Sequence, residues 1–360
     1  MSLTSPAPAI DPTAVEDFAG RLAQLCTGAT LTFMIDLGRR TGLFEAAVRG
    51  PATSQGLADR AGLSERYVRE WLGAMATGGI VTYDPATGAY TLPPEHAICL
   101  TGDRVENLAP MAWLCVVLGR HVPAVADAFR AGSGVPYADY LPELHDVMEA
   151  VWGPGYDHLL VDHVLPLAPG LPERLRAGAR VADVCCGTGR AVMTLAAAFP
   201  DSRFVGFDLD ATAIARARDR AADLRLANAA FEVCDAAALP AGQPFDAVLV
   251  FNAIHDQAAP ARVLRRMHDA LIPGGTVLMN EPALSARLED NLDDPMAPFV
   301  YAVSTLHCLT VSLAAGGAGL GTAWGWQVAC DMLAEAGFAD VARHDTPGEP
   351  GNAVFVARRP

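Results

Sequence analysis

The sequence predicts a doubly wound α/β domain carried behind a helical region that contains a winged helix. Three observations point there. From residue 178 onward, short apolar runs alternate with segments of helical composition. Residues 179–210, ARVADVCCGTGRAVMTLAAAFPDSRFVGFDLD, read as a strand, a Gly-containing turn, a helix and a second strand ending in acid. Between residues 43 and 92, two short helical segments precede a hairpin pattern.

Within the α/β part, strands are expected at 180–184, 204–208, 230–234, 247–251, 276–281, 341–345 and 353–357. The first is a short, mainly apolar run, suited to a buried parallel strand. Helices are expected at 190–199, which Pro200 stops, and at 212–227, 258–271 and 323–336. Sheets of this kind bind ligands at the carboxyl ends of their strands.

Ahead of this, residues 1–12 are rich in Pro, Ala and Ser and are expected to be disordered. Residues 13–40 place Phe18, Leu22, Leu25, Leu31, Met34 and Ile35 at helical spacing with few charges. A helix this apolar needs cover from its own chain or from a second subunit. Thr53 or Ser54 can cap a helix through Arg60, Gly62 turns the chain, and Ser64 caps a second helix through Thr77. Residues 80–83 and 89–92 flank a turn at 84–88 and complete a winged helix. Its second helix carries Arg66 and Arg69 beside Glu65 and Glu70, so its charge cancels, which disfavours a DNA-reading role. Residues 106–130 and 144–165 read as apolar helices of a connector. His158 and His163 lie five apart, on different helix faces, and make no metal pair.

Composition narrows the function. The net charge of −15 argues against bulk affinity for nucleic acid. All 26 basic residues are arginine, and without lysine neither Schiff-base chemistry nor a phosphate-loop lysine is available. Eight scattered cysteines show neither a CxxC pair nor zinc spacing, which fits reduced thiols in the cytoplasm. The N-terminus lacks a signal-peptide pattern, and the apolar run at 109–118 is too short to span a bilayer. A cytoplasmic protein with no resident metal and no membrane attachment is expected.

The expected strand ends gather the candidate site. Gly187 and Gly189 follow the first strand, where small residues let backbone approach a ligand. Asp208 ends the second, with Leu209 beside it, placed to accept from two ribose hydroxyls. Asp235 and Ala236 follow the third, where an acid can accept from an exocyclic amine. Asn252, His255 and Asp256 follow the fourth, and Glu281 ends the fifth. A dinucleotide fingerprint would need glycines where this turn has Cys185 and Arg190, which weighs against NAD.

DVCCGTG at 183–189, FVGFDLD at 204–210, FEVCDAAAL at 231–239, FDAVLVFNAIHD at 245–256 and LIPGGTVLMNE at 271–281 together resemble class I S-adenosylmethionine-dependent methyltransferases. With the winged helix ahead of it, the chain resembles the small-molecule O-methyltransferases and, more closely, a bacterial Rv2258c-like group; residues 307–325 resemble a segment of that group. The resemblance implies a Rossmann-like, seven-stranded domain, preceded by an α-helical winged-helix domain that forms a homodimer. The expected divisions are 1–100, a connector at 101–177, and 178–360 with a lid insertion at about 283–322. It implies S-adenosyl-L-methionine as cofactor, with Asp183 near its methionine amino end, Gly187 and Gly189 under it, Asp208 at the ribose, and Asp235 with Ala236 at the adenine. Where such families have Gly within D-x-G-x-G-x-G, this chain has Cys185.

Methyl transfer is an in-line displacement at an activated donor, so alignment and exclusion of water do most of the work. A hydroxyl acceptor gains from a general base, and His255, just past the fourth strand, is the first candidate. The same position suits a His that caps the following helix. Glu281 suits either an orienting or deprotonating acid or a buried structural one. His307, in the insertion with Phe299, Tyr301 and Cys308, is a second base candidate or a core histidine. The expected partner is a small, mainly apolar molecule. Two alternatives remain at this stage: a ligand-sensing transcriptional regulator, and an enzyme that performs other chemistry on the donor.

Overall fold

The computed structural model describes residues 10–240, 244–349 and 351–360, so most of the expected disorder at 1–12 lies outside the described residues. The chain divides into two compact units. One runs to Gly102 and takes up Glu106–Val116; the other holds Asp103–Val105 and Val117–Pro360.

In the first unit, α1 (Pro12–Thr41) starts at Asp11, whose carboxylate accepts from Thr13 N at 2.9 Å, and ends at left-handed Gly42. α2 (Leu43–Ala47), α3 (Ser54–Ala61) and α4 (Glu65–Thr77) follow. Thr53 caps α3 by accepting from Gly56 N. The wing pairs β1 (Thr82–Asp84) with β2 (Ala89–Thr91), antiparallel, and α5 (Pro94–Ile98) follows. Phe44 and Trp71 meet edge to face at 5.2 Å in a core with Leu57, Leu72 and Met75. Gly38 lets α1 approach them, since a Cβ there would lie 2.5 Å from Phe44. Along the rest of α1, Val15, Phe18, Leu22, Leu25 and Phe33 stay exposed.

The expected helix at 106–130 divides at Arg120 and His121 into α6 (Ala109–Gly119) and α7 (Val122–Ala131). Pro123 near the start of α7 lacks the N–H that a continuous helix would use there. The one at 144–165 becomes α8 (Glu143–His158) and a π-turn, Leu160–Val164. α9 (Leu171–Ala177) leads into the sheet.

Among the described residues the sheet has seven strands: β3 (Arg180–Val184), β4 (Arg203–Asp208), β5 (Ala229–Val233), β6 (Phe245–Phe251), β7 (Leu271–Pro282), β8 (Ala339–Asp345) and β9 (Asn352–Arg358). Their order is β5-β4-β3-β6-β7-β9-β8, parallel except for the antiparallel pairs of β9 with β7 and with β8. Side-chain alternation divides the core. Ala182, Val184, Val248 and Val250 pack toward α12 (Pro260–Ala270) and α15 (Trp326–Glu335). Val181, Ala247 and Leu249 pack toward α9 and α10 (Arg190–Ala198), and α11 (Ala211–Asp223) joins that layer. Strands covered on both faces can be apolar throughout, which is why they were legible.

The insertion holds α13 (Ala297–Val303), a π-turn at Ser304–Cys308 and α14 (Leu309–Ala314). These run on as an 18-residue apolar stretch, long and apolar enough to cross a membrane by length and composition alone. Its polar groups are tied into the second unit: Val135 N donates to Thr310 Oγ1 at 2.8 Å and Ser312 Oγ to Gln257 O at 2.9 Å.

The first turn of the sheet depends on Gly189, which has φ +78° and no room for a Cβ, because Phe231 would lie 2.3 Å away. Gly189→Ala is expected to destabilise the fold by roughly 2–4 kcal/mol, from left-handed strain and overpacking together, read as a lowered midpoint in urea unfolding.

Candidate active site at the carboxyl ends of the strands

The chain leaves β3 toward β4 on one side and β6 toward β7 on the other, so the strand order reverses between β3 and β6. A crevice opens at such a point. The residues that step off these two strands, Cys185 and Asn252, both have left-handed backbones, at φ +60° and +50°. Asn tolerates this region readily; a residue such as Cys does so at a cost of about 1–2 kcal/mol. The conformation is the one glycine adopts freely, so the missing glycine changes the side chain and leaves the turn as it is. The Cys185 thiol takes a contact from Gln257 Nε2 at 3.6 Å. Burial, then the carboxylates of Asp208, Asp256, Asp183 and Glu281, push this thiol well above its usual range, so it stays protonated.

The turn after β3 is fastened to β4. Cys186 N donates to Phe207 O at 3.0 Å, and Gly187 N to Asp208 Oδ2 at 2.8 Å. Asp208 Oδ1 accepts from Asp210 N at 2.9 Å. Each carboxylate oxygen can accept more than one bond, so Asp208 can still receive hydroxyl donors. Leu209 beside it is exposed. Asp235 Oδ1 accepts from Ala237 N at 2.8 Å and caps a short 3-10 turn, Ala236–Ala238, with Ala236 buried. The capping and ligand-binding readings of Asp235 are therefore compatible.

Among the described residues, two buried polar atoms at the ends of β3 and β6, Asp183 Oδ1 and Asn252 Nδ2, have no hydrogen-bond partner. One accepts and the other donates, so a ligand group carrying both an ammonium and a carboxylate fits this pair. Burial, followed by the charge of Asp208, raises the Asp183 carboxyl well above the usual range, and a neighbouring cation would reverse this.

On the acceptor side, His255 Nδ1 is bonded to Glu281 Oε2, and both residues are buried. Glu281 Oε1 accepts from Ala253 N at 2.9 Å and Ile254 N at 2.7 Å. Glu281 thus orients the His255 ring through Oε2 while Oε1 holds the loop after β6. His255 does not cap α12, whose N-cap is Ala259. Burial lowers the His255 pKa, but Glu281 and Cys308 outweigh it, and the net result is well above the ordinary value. Beside it, burial raises the Asp256 carboxyl to about 6 against the opposing pull of His255.

The insertion closes on this loop. Ala318 N donates to Ala258 O and Gly321 N to His255 O, each at 3.0 Å. A Cβ on Gly317 would lie 2.4 Å from Ala258 Cα, so close backbone approach explains part of the glycine run. His307 is buried, with Nδ1 3.4 Å from Cys308 Sγ. The Tyr140 ring meets it edge-on at 5.0 Å, and the Tyr137 ring lies 6.0 Å away. The sequence reading missed Tyr137. Burial, then Asp208, Asp256 and Asp210, hold its hydroxyl protonated. It sits on a single 3-10 turn, Tyr137–Tyr140, where no periodicity marks a face.

Residues 29–102 match the family described as the Rv2258c-like winged HTH domain, and residues 175–329 match a methyltransferase domain. The chain carries these two domains, the second of the S-adenosylmethionine-dependent kind. Over 121 residues it is 32% identical to trans-aconitate 2-methyltransferase of Methylobacterium nodulans, covering 34% of this chain and 42% of the relative. Over 153 residues it is 27% identical to 27-O-demethylrifamycin SV methyltransferase of Amycolatopsis mediterranei, covering 38% and 54%. The chain thus spans about half the length of the curated relatives it matches. Its fold is similar to that of human N-acetylserotonin methyltransferase in complex with S-adenosylmethionine, with TM-score 0.72, 16% identity and coverage of 98% and 99% of the two chains. It is also similar to an O-methyltransferase family protein from Burkholderia thailandensis, with TM-score 0.69, 16% identity and coverage of 98% and 99%.

Glu281→Leu would leave two backbone N–H groups and a buried imidazole without their partner. The expected cost is about 3–5 kcal/mol, measured by chemical unfolding, whereas Glu281→Gln retains the shape and costs less.

Proposed function

We propose that this protein transfers a methyl group from S-adenosylmethionine to a hydroxyl of a small, mainly apolar molecule, with His255 as general base. The observation that carries this reading is the buried His255–Glu281 pair at the strand-order reversal, on the β6 side of the orphaned Asp183 and Asn252 atoms. The donor supplies an activated methyl group when bound. Asp183 would hold its ammonium, Asn252 its carboxylate, Asp208 its ribose, and Asp235 with Ala236 its adenine, over the turn of Cys185, Gly187 and Gly189. Glu281 fixes the His255 ring and stabilises the imidazolium that forms when His255 takes the acceptor's proton. The insertion at 283–322, with domain divisions near residues 100 and 177, acts as a lid that keeps water out.

Homodimerisation belongs to the same proposal, supported by the exposed apolar side chains of α1. A winged helix that does not read DNA is supported by the Arg66–Glu70 and Arg69–Glu65 ion pairs, which occupy the basic groups of α4. A cytoplasmic setting is supported by eight unpaired cysteines.

Calorimetry is expected to show S-adenosylmethionine binding, weakened at least about tenfold by Asp208→Ala, the loss of roughly one charge-assisted hydrogen bond. No binding of the donor or its demethylated product would sink the reading. With a phenolic acceptor, His255→Gln should lower kcat by about 10²–10⁴-fold while donor affinity holds. The pH profile has a definite sign. Because His255 is held protonated above its ordinary range, turnover should rise with pH through neutrality as the base is uncovered. Glu281→Gln removes the carboxylate that favours the imidazolium, so this limb should move to lower pH; an unmoved limb would remove His255 from the role.

A further inference from the structure

Gln257 has no part in the mechanism above, yet its side chain spans the point where the strand order reverses. Its backbone N donates to Ile254 O at 3.3 Å and closes a turn with His255 and Asp256 at the corners. The side chain then folds back. Nε2 donates to Ala253 O at 2.9 Å, just past β6, to Asp256 Oδ1 at 3.1 Å, and to Cys185 Sγ at 3.6 Å, just past β3. A carbonyl oxygen can only accept, so Ala253 O fixes which end of the amide faces these groups. Two N–H groups serve three acceptors, so one of them is shared.

The turn that carries His255 is held from three sides. Glu281 of β7 is bonded to Ala253 N, Ile254 N and His255 Nδ1. From the insertion, Ser312 Oγ donates to Gln257 O at 2.9 Å, and Gly321 N to His255 O at 3.0 Å. Toward the turn after β3, the link is the Gln257 amide on the Cys185 thiol. Cys185 keeps a side chain at φ +60°, a conformation that glycine would adopt without strain. A strained residue at a ligand crevice points to a use for it, and here the thiol is the partner of Gln257. Sulfur is a weak acceptor, so the contact supplies position rather than strength.

Resting on the methyl-transfer reading, we infer that Gln257 is a positioning residue that fixes the His255 turn against the turn after β3, with the Cys185 thiol as its anchor there. The base and the donor then keep one separation, set by a side chain that bridges the ends of β3 and β6. In-line transfer tolerates little displacement, and an error of about 1 Å costs on the order of 10²-fold in rate. Breaking the bridge therefore lowers kcat and leaves donor binding in place.

The test uses the full chain with S-adenosylmethionine and 2-naphthol as the hydroxyl probe, read as formation of S-adenosylhomocysteine. Gln257→Leu should lower kcat at least about tenfold. KM for 2-naphthol and the calorimetric affinity for S-adenosylhomocysteine should hold. Cys185→Gly removes the thiol and relaxes the backbone, so kcat should fall while the urea midpoint holds; a merely structural role would lower both. Cys185→Ser, which keeps an acceptor for the amide, should restore part of the loss. The double variant Cys185→Gly/Gln257→Leu should be no slower than Gln257→Leu alone, because both changes break one contact. With no acceptor present, S-adenosylhomocysteine should slow hydrogen exchange at Ala318 N and Gly321 N, which bond the loop of His255. Gln257→Leu should remove that slowing while the product still binds. Wild-type kcat in Gln257→Leu or Cys185→Gly, losses that multiply in the double variant, or slowing that survives in Gln257→Leu would overturn the inference. If 2-naphthol is inert, the exchange measurement decides alone. Failure of the underlying reading looks different: S-adenosylhomocysteine does not bind, or His255→Gln leaves turnover of 2-naphthol unchanged.

Discussion

The site depends on how one carboxylate is held. Glu281 lies at the end of β7, with one oxygen on the backbone N–H groups of Ala253 and Ile254 and the other on His255 Nδ1. A charged group inside a protein is tolerated only when its hydrogen-bonding capacity is met, and here three donors from the loop after β6 meet it. The register of β6 against β7, with Phe251 beside Asn280, brings that loop to the carboxylate. Sheet register, loop conformation and the pKa of the candidate base are therefore one constraint.

The other half of the site is built on backbone conformation. Cys185 and Asn252 take left-handed φ where β3 and β6 end, and Gly187 and Gly189 continue the turn with φ +54° and +78°. Asp208 ties this turn to β4 through Gly187 N, so a residue expected to receive a ligand also shapes the loop that would lie beneath that ligand. Strain of this kind persists at sites whose surroundings over-determine it. Asp183 Oδ1 and Asn252 Nδ2, buried and unpaired, lie at the ends of these same two strands, where the proposed donor's ammonium and carboxylate would sit.

Much of this was legible in the chain. Parallel strands covered on both faces gave mainly apolar runs, and their ends pointed to Asp208, Asp235, His255 and Glu281. The winged helix was legible from its caps, since Thr53 accepts from Gly56 N and Gly62 closes α3 in a left-handed turn. The break at Arg120 and His121 was not, because apolar spacing continues across it while the helix does not. Tyr137 was not legible either, since one 3-10 turn carries no period. Cys308 was visible as a residue near His307, but the buried π-turn that the two residues end was not.

The sequence by itself determined the strand and helix pattern, the Gly-containing turn and the acids at the strand ends, because these follow from local sterics and from apolar periodicity. Only the tertiary structure decided that Glu281 bonds His255, that Cys185 occupies a left-handed glycine conformation, and that a buried π-turn leaves His307 Nε2 without a partner. The physical reason is common to all three. Hydrogen-bond satisfaction and electrostatic coupling are settled between elements after the chain has folded, and no run of neighbouring residues records them.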